Sequence, residues 1–155
     1  LGLGNLSLPE DEKQALAERK NSRYVALLQS LTPDVVSQEV RDTLTELHAH
    51  GLKLAVGSSS KNAKRILELT DLNRYFDAVS DGTNISRSKP DPEVFLKGAA
   101  FLGLSPDVCA VVEDAAAGVD AANAGGFMSI GIGDAASYEK ADAKIDRIGD
   151  LLNLI

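Results

Sequence analysis

Cysteine, tryptophan and long apolar runs are scarce or missing in this sequence. Cys109 is the only cysteine among 155 residues, so no disulfide can form within the chain. It lies in the apolar run 108–112 and is interpreted as a small core residue. Trp is missing, and the aromatic residues are three Tyr and four Phe, so a core must consist mainly of Leu, Val, Ile and Ala. No apolar stretch approaches the roughly 20 residues that a membrane-spanning helix needs.

Positive charge is also in short supply. Lys and Arg number 16 against 23 Asp and Glu, which gives a net charge of -7 and argues against a nucleic-acid-binding protein. The segment Leu1–Pro9 has no basic start, so it is not interpreted as a signal peptide. We expect a cytoplasmic protein with no nucleic-acid or membrane partner. Any phosphate site must then be local, built from a few cations and backbone amides.

The first part of the chain has helical periodicity. Residues 10–31 carry apolar side chains at helical spacing, and Lys20 falls on the same face, four residues from both Leu16 and Tyr24. The simplest interpretation is a lysine whose stem packs on the face while its amine reaches water. A second helix is predicted from about residue 33 to residue 50.

Short apolar strands alternate with helices from residue 52 onward. Strands are predicted at 52–57, 77–80, 108–112, 127–132 and 143–145. Helices are predicted after Asn62, from Asp91 and over 115–124. This alternation predicts an α/β fold with a parallel sheet covered on both faces. The helical segment before residue 33 lies outside the alternation and is predicted to belong to a separate helical unit.

Three polar clusters follow predicted strands, at the sheet edge where ligands bind in open parallel sheets. The first is Ser58, Ser59, Ser60, Lys61 and Asn62, at the start of a predicted helix. Hydroxyls, an amide, a lysine and free backbone N–H groups are suited to an anion. An ordinary polar helix cap is the alternative.

The second cluster surrounds Lys89. Pro90 favours an extended backbone at Lys89, and Pro92 stiffens the same loop. A lysine held at the sheet edge can neutralise a phosphoryl group during its transfer. A lysine in a surface turn is the alternative.

The third cluster is the adjacent pair Glu113 and Asp114, which follows the run 108–112. Two carboxylates at a buried strand end are costly unless a cation compensates them. Oxygen ligands with room for water and phosphate suit Mg²⁺. In the alternative, Asp114 caps the next helix and Glu113 faces solvent.

Taken together and in this order, the three clusters resemble the motifs of the haloacid dehalogenase superfamily of phosphatases and phosphomutases. The strand ending at Ser58 resembles the second motif, Lys89 the third, and Glu113-Asp114 with the following Ala117-Gly118 the fourth. The resemblance implies a Rossmann-like, three-layer core with a parallel sheet over residues 33–155. It also implies that residues 1–32 are the remnant of a helical cap domain.

Within the superfamily, the chain is most similar to the β-phosphoglucomutases, from about residue 15 to residue 133. The resemblance implies that Ser58, the Ser59 backbone and Lys89 hold the phosphoryl group in transfer, and that Glu113 and Asp114 bind or position Mg²⁺. It implies a grip on a second phosphate by four further residues: Ser60, Lys61, Asn62 and, from the cap, Lys20.

One motif of the superfamily is not found in the sequence. Its members begin with a D-x-D-G strand whose first Asp is the nucleophile, and the only Asp-Gly here, Asp81-Gly82, follows a different strand. By resemblance, the nucleophile strand lies between those leading to Ser58 and Glu113. We therefore expect two unpaired strand edges, and further N-terminal residues in the natural chain. The family resemblance implies a monomer; a strand donated by a second molecule would instead make a dimer.

Three functions are consistent with this pattern. The first is a mutase that converts β-glucose 1-phosphate to glucose 6-phosphate through an aspartyl-phosphate and a bisphosphate intermediate. The second is a sugar-phosphate phosphatase, and the third is a phosphate-binding fragment without turnover. Lys20 with the Ser60–Asn62 segment favours the mutase, because a mutase holds two phosphates at once.

Overall fold

The computed structural model describes residues 31–155. Lys20, the rest of the helix predicted before residue 31 and most of the predicted cap remnant lie outside this range. In the described part of the chain, no helix has the length and apolar character needed to cross a membrane.

Four α-helices alternate with five short strands over this range. The helices are α1 (Gln38–Ala49), α2 (Ala63–Leu69), α3 (Glu93–Leu102) and α4 (Ala116–Ala124). The strands are β1 (Ala55–Gly57), β2 (Ala78–Ser80), β3 (Ala110–Glu113), β4 (Met128–Gly131) and β5 (Ala143–Lys144). Short 3₁₀ turns join them at Pro33–Val35, Asn73–Tyr75, Pro106–Val108, Gly133–Ser137 and Ile148–Asn153.

All strand pairs in this range are parallel, as the alternating pattern predicts. β1 pairs with β2, so that Val56 lies opposite Val79. β4 lies between β3 and β5, and Val112 lies opposite Ile130. The carboxyl ends of β1 and β3 therefore belong to two separate sheets, a two-stranded and a three-stranded one.

Helices and turns cover both faces of the strands, which confirms the predicted α/β fold class. On one face, α3 and α4 pack together and Phe95 meets Phe127 edge-to-face, with ring centroids 6.2 Å apart. On the other face, α1 and the C-terminal turn pack together around Leu47. Val111 joins the first cluster and Val112 the second, because successive side chains of a strand point to opposite faces.

Several predicted boundaries are wrong by a few residues. α1 begins at Gln38 rather than near residue 33, because the Ser37 hydroxyl accepts the Val40 amide at 3.4 Å and so caps the helix there. β1 begins at Ala55 rather than at residue 52. Val108 lies in a 3₁₀ turn and is 67% exposed instead of beginning β3.

An apolar groove of about 760 Å³ lies between β1 and β3, which do not pair with each other in the described part of the chain. Val56, Val111 and Val112 line it, together with Leu47 and Phe95. Both valines of β3 are only half-buried, although their apolar run predicts a fully buried strand. The free edge of β3 explains this exposure. The groove lies where the family resemblance expects a further strand.

Glu93, the first residue of α3, holds the segment that leads to Lys89. Its carboxylate accepts the amides of Ser86 at 3.0 Å and Arg87 at 2.8 Å, and it pairs with Lys97 at 3.2 Å. The bond from the Ser86 amide contributes most, and together these contacts lower the pKa of Glu93 from 4.5 to about 2.

We expect Glu93→Gln to destabilise the protein near neutral pH but much less in acid. A carboxyl whose pKa is lower in the folded state contributes stability that is complete above its unfolded pKa of about 4.5. That contribution is lost as the pH falls toward its folded pKa of about 2. The free energy of unfolding should be measured in urea at pH 6 and at pH 2.5. Equal destabilisation at both values would contradict the expectation.

Glu68→Gln is the matched control. Its carboxylate is 58% exposed and meets Arg65 at 3.5 Å, so the substitution should change stability little at pH 6.

Candidate functional site

The loop from Ser58 to Asn62 leaves the carboxyl end of β1 and is folded by its own hydroxyl groups. Ser58 Oγ accepts the Ser60 amide at 3.2 Å, and Ser60 Oγ accepts the Asn62 amide at 3.0 Å. Each hydroxyl thus uses a lone pair within the loop and keeps its proton for another acceptor. Among residues 31–155, the amides of Ser59 and Lys61 find no acceptor. The loop therefore presents several hydrogen-bond donors.

An ordinary helix cap does not account for this loop. The Asn62 side chain caps no amide of α2, and that helix has only seven residues. The loop is suited to an anion because its own hydroxyl and amide groups can donate hydrogen bonds. We call residues 58–62 the phosphate loop from here on, after the ligand that the sequence predicts for it.

Lys89 lies at the point where the two sheets approach each other. Its amine donates to the Gly57 carbonyl at 3.2 Å, at the end of β1, and to Glu113 Oε1 at 2.9 Å, at the end of β3. It also lies 4.8 Å from the centre of the Phe95 ring. The Lys89 side chain is only 18% exposed. The alternative of a free surface lysine is therefore wrong.

Phe95 reaches this position because residue 57 is a glycine. A Cβ at Gly57 would lie 2.6 Å from the Phe95 ring, which is closer than side chains approach. The ring forms the floor on which the Lys89 amine lies. The sequence gives no direct signal for this role, because a Phe on the inner face of a helix is expected in any core.

Glu113 is enclosed, whereas Asp114 is open. The Glu113 side chain is 12% exposed and packs against Gly118 of α4, where a Cβ would lie 1.7 Å from Oε2. Only glycine leaves room there for the carboxylate. Asp114 is exposed, and α4 has no side-chain cap at Ala115. The alternative in which Asp114 caps the helix and Glu113 faces solvent is therefore wrong on both counts.

The donor set for a metal ion is small in the described part of the chain. No group of three or more His, Cys, Asp or Glu side chains is gathered there. Glu113 and Asp114 supply adjacent carboxylates at a strand end. Two carboxylates completed by water and phosphate oxygens fit Mg²⁺, which keeps several waters in protein sites.

The structure brings some of the predicted site residues together and leaves others apart. Lys89 contacts Glu113 and the backbone next to Ser58. Within residues 31–155, no hydrogen bond or ion pair joins Lys61 or Asn62 to that pair. Lys20 lies outside the described residues.

Comparison with known proteins shows to which family the chain is similar. The family model described as a haloacid dehalogenase-like hydrolase matches residues 3–126. A β-phosphoglucomutase from Bacillus subtilis is 37% identical over 140 residues, which cover 90% of this chain and 62% of the relative. A phosphoglycolate phosphatase from Salmonella typhimurium is 30% identical and covers 94% of this chain and 60% of the relative. The chain thus spans about three fifths of the length of these relatives.

A solved structure shows the same fold. The crystal structure of a β-phosphoglucomutase from Clostridium difficile superposes with a TM-score of 0.86 at 33% identity, covering 97% of this chain and 67% of that one. The resemblance inferred from the three clusters is confirmed. The chain belongs to the haloacid dehalogenase-like hydrolase family.

Proposed function

We propose that the whole protein is a β-phosphoglucomutase-like enzyme that moves a phosphoryl group on a sugar phosphate. The observation that supports phosphoryl transfer best is the position of the Lys89 amine, held between Gly57 and Glu113 beside the phosphate loop. A largely buried cation fixed in this way stabilises charge that develops on a phosphoryl group, at little reorganisation cost.

The residues of the phosphate loop and Lys89 would have different roles. The Ser58 hydroxyl and the Ser59 amide would donate to oxygens of the transferred group, since both retain a free proton. Lys89 would neutralise the added negative charge. Ser60, Lys61 and Asn62 would hold the second phosphate of the substrate.

Mg²⁺ is part of the proposal, with Glu113 and Asp114 as its protein ligands. Bound there, it would supply positive charge toward the phosphoryl oxygens. The enclosed Glu113 carboxylate has a fixed orientation, because Lys89 holds one oxygen and Gly118 lies against the other. Such fixation favours a small ion with a strict coordination geometry.

The reaction also needs a nucleophilic carboxylate, which we propose is delivered on a strand that fills the groove between β1 and β3. A further segment of the natural chain is the expected source of this strand, and the protein would then act as a monomer. We propose that it works in the cytoplasm. The 155-residue chain alone would be inactive. A strand from a second molecule is the alternative, and it would make the protein an obligate dimer.

A sugar-phosphate phosphatase is the second candidate. Relatives of both kinds are similar to this chain, including a hexitol phosphatase B from Escherichia coli that is 31% identical. The mutase is favoured by the higher identity to the Bacillus subtilis relative. It is also favoured by Lys20 and the Ser60–Asn62 segment, which suit a substrate with two phosphates.

One assay separates the candidates. The natural full-length protein is incubated with β-glucose 1-phosphate, Mg²⁺ and a trace of glucose 1,6-bisphosphate, and the products are quantified by ³¹P NMR. We expect glucose 6-phosphate as the main product. Free phosphate as the main product would reject the mutase and support the phosphatase, and no product at all would support a binding protein without turnover.

Gly118→Ala tests the metal assignment. The added methyl group would push the Glu113 carboxylate away from its position, so Mg²⁺ affinity should fall by about tenfold or more. Calorimetric titration of the natural full-length protein with Mg²⁺ measures the change.

The matched control is Gly98→Ala, another glycine within a helix. A Cβ there would lie 3.7 Å from Ser80 Cβ, an ordinary contact. If Gly118→Ala and Gly98→Ala leave the Mg²⁺ affinity equally unchanged, Glu113 is not a metal ligand.

A further inference from the structure

The turn that follows β2 carries a carboxylate that the proposed mechanism does not use. Asp81 is completely buried, with 0% of the residue exposed. Its Oδ1 accepts the Thr83 amide at 2.9 Å and the Thr83 hydroxyl at 2.6 Å. Its own amide donates to Asn84 Oδ1 at 2.8 Å. These bonds fix the conformation of residues 81–84, which we call the β2 turn.

The β2 turn lies directly against the phosphate loop. The Gly82 amide donates to the Ser60 carbonyl at 3.0 Å. A Cβ at Gly82 would lie 2.4 Å from the Ser59 carbonyl oxygen and 2.9 Å from the Lys61 amide nitrogen. Both of those atoms are backbone, so they cannot yield as the end of a flexible side chain would. Glycine is therefore required for this close approach.

The contact leaves buried polar atoms without hydrogen bonds. In the described part of the chain, Asp81 Oδ2 and Ser59 Oγ have no hydrogen-bond partner. Among residues 31–155, the cation nearest to Asp81 Oδ2 is Lys64 Nζ at 3.9 Å, too far for a hydrogen bond. Burying a carboxylate in this way costs stability, and such costs are typical of positions that serve a site rather than the core.

We propose that Asp81 and Gly82 are positioning residues for the phosphate loop, an inference that rests on the proposed function. Asp81 fixes the conformation of the β2 turn. Gly82 determines how closely the backbone at Ser59 and Lys61 packs against that turn. In this role both residues act on the loop and not on the substrate itself. Because the Ser59 and Lys61 amides are among the hydrogen-bond donors that the loop offers, a shift of this contact changes how the loop holds phosphate.

Gly82→Ala is the direct test in the natural full-length protein. The added methyl group displaces the Ser59 carbonyl and the Lys61 amide, and a displacement of about 1 Å can cost a hundredfold in a positioned site. We expect the dissociation constant for inorganic phosphate, measured by calorimetry with saturating Mg²⁺, to rise tenfold or more. KM for the sugar phosphate should rise with it, by a larger factor than kcat falls.

Gly98→Ala is the control, because its methyl group, on α3, meets Ser80 at the end of β2 at an ordinary contact distance. It should leave the phosphate affinity unchanged. Equal phosphate affinity in both variants would overturn the inference.

Thr83→Val provides a second variant in case Gly82→Ala does not fold. Thr83 is exposed, and the substitution removes only the hydroxyl that donates to Asp81. Phosphate affinity should fall about threefold, the loss expected from one hydrogen bond that acts through the turn. Unchanged affinity in this variant would also count against the inference.

A separate measurement keeps this inference distinct from the proposed function. The ¹H–¹⁵N chemical shifts of the Ser59 and Lys61 amides report the loop conformation without any ligand. They should move in Thr83→Val and, where it folds, in Gly82→Ala, but not in Gly98→Ala. If they move while the unmodified protein fails to bind phosphate, the proposed function is wrong and the contact is real. If they stay in place, the positioning role is wrong.

Discussion

The arrangement of the site depends on the Lys89 amine, which is held by groups from both sheets. In the described part of the chain β1 and β3 are not paired, yet one ammonium group donates to the last carbonyl of β1 and to the carboxylate that ends β3. The Phe95 ring, with its centre 4.8 Å from this amine, covers one side of the site. Because the charge is largely shielded from water, its interactions are stronger than those of a surface lysine.

The same geometry requires glycine at two positions and leaves a groove between β1 and β3. Gly57 lets the Phe95 ring approach β1, and Gly118 lets the Glu113 carboxylate approach α4. The groove between β1 and β3 leaves the half-buried valines of β3 uncovered. A strand placed there would pair both free edges and would end beside Lys89. In the proposed function, the same element would complete the sheet and bring the nucleophilic carboxylate to the site.

Much of this could be predicted from the sequence, because parallel strands place their carboxyl ends at one edge. The strand pattern predicts that Ser58, Lys89 and Glu113 lie at one edge of the sheet, and the resemblance of their motifs to known ones predicts the family. Contacts between distant segments could not be predicted. Phe95 looks like any core residue, and Gly82 looks like part of an ordinary turn until its distance to the phosphate loop is known. Boundaries such as the start of α1 depend on a single local hydrogen bond, here the Ser37 cap, which the apolar pattern does not reveal.

In the proposed function, Lys89 and Mg²⁺ act together on one phosphoryl group. This joint action can be measured by titrating the natural full-length protein and its Lys89→Met variant with inorganic phosphate, with and without Mg²⁺. We expect Mg²⁺ to strengthen phosphate binding in the wild type, and Lys89→Met to weaken it about a hundredfold, as when one partner of a buried charge pair is removed. Equal phosphate affinity in the two proteins, with no dependence on Mg²⁺, would show that Lys89 and Mg²⁺ do not act together on phosphate.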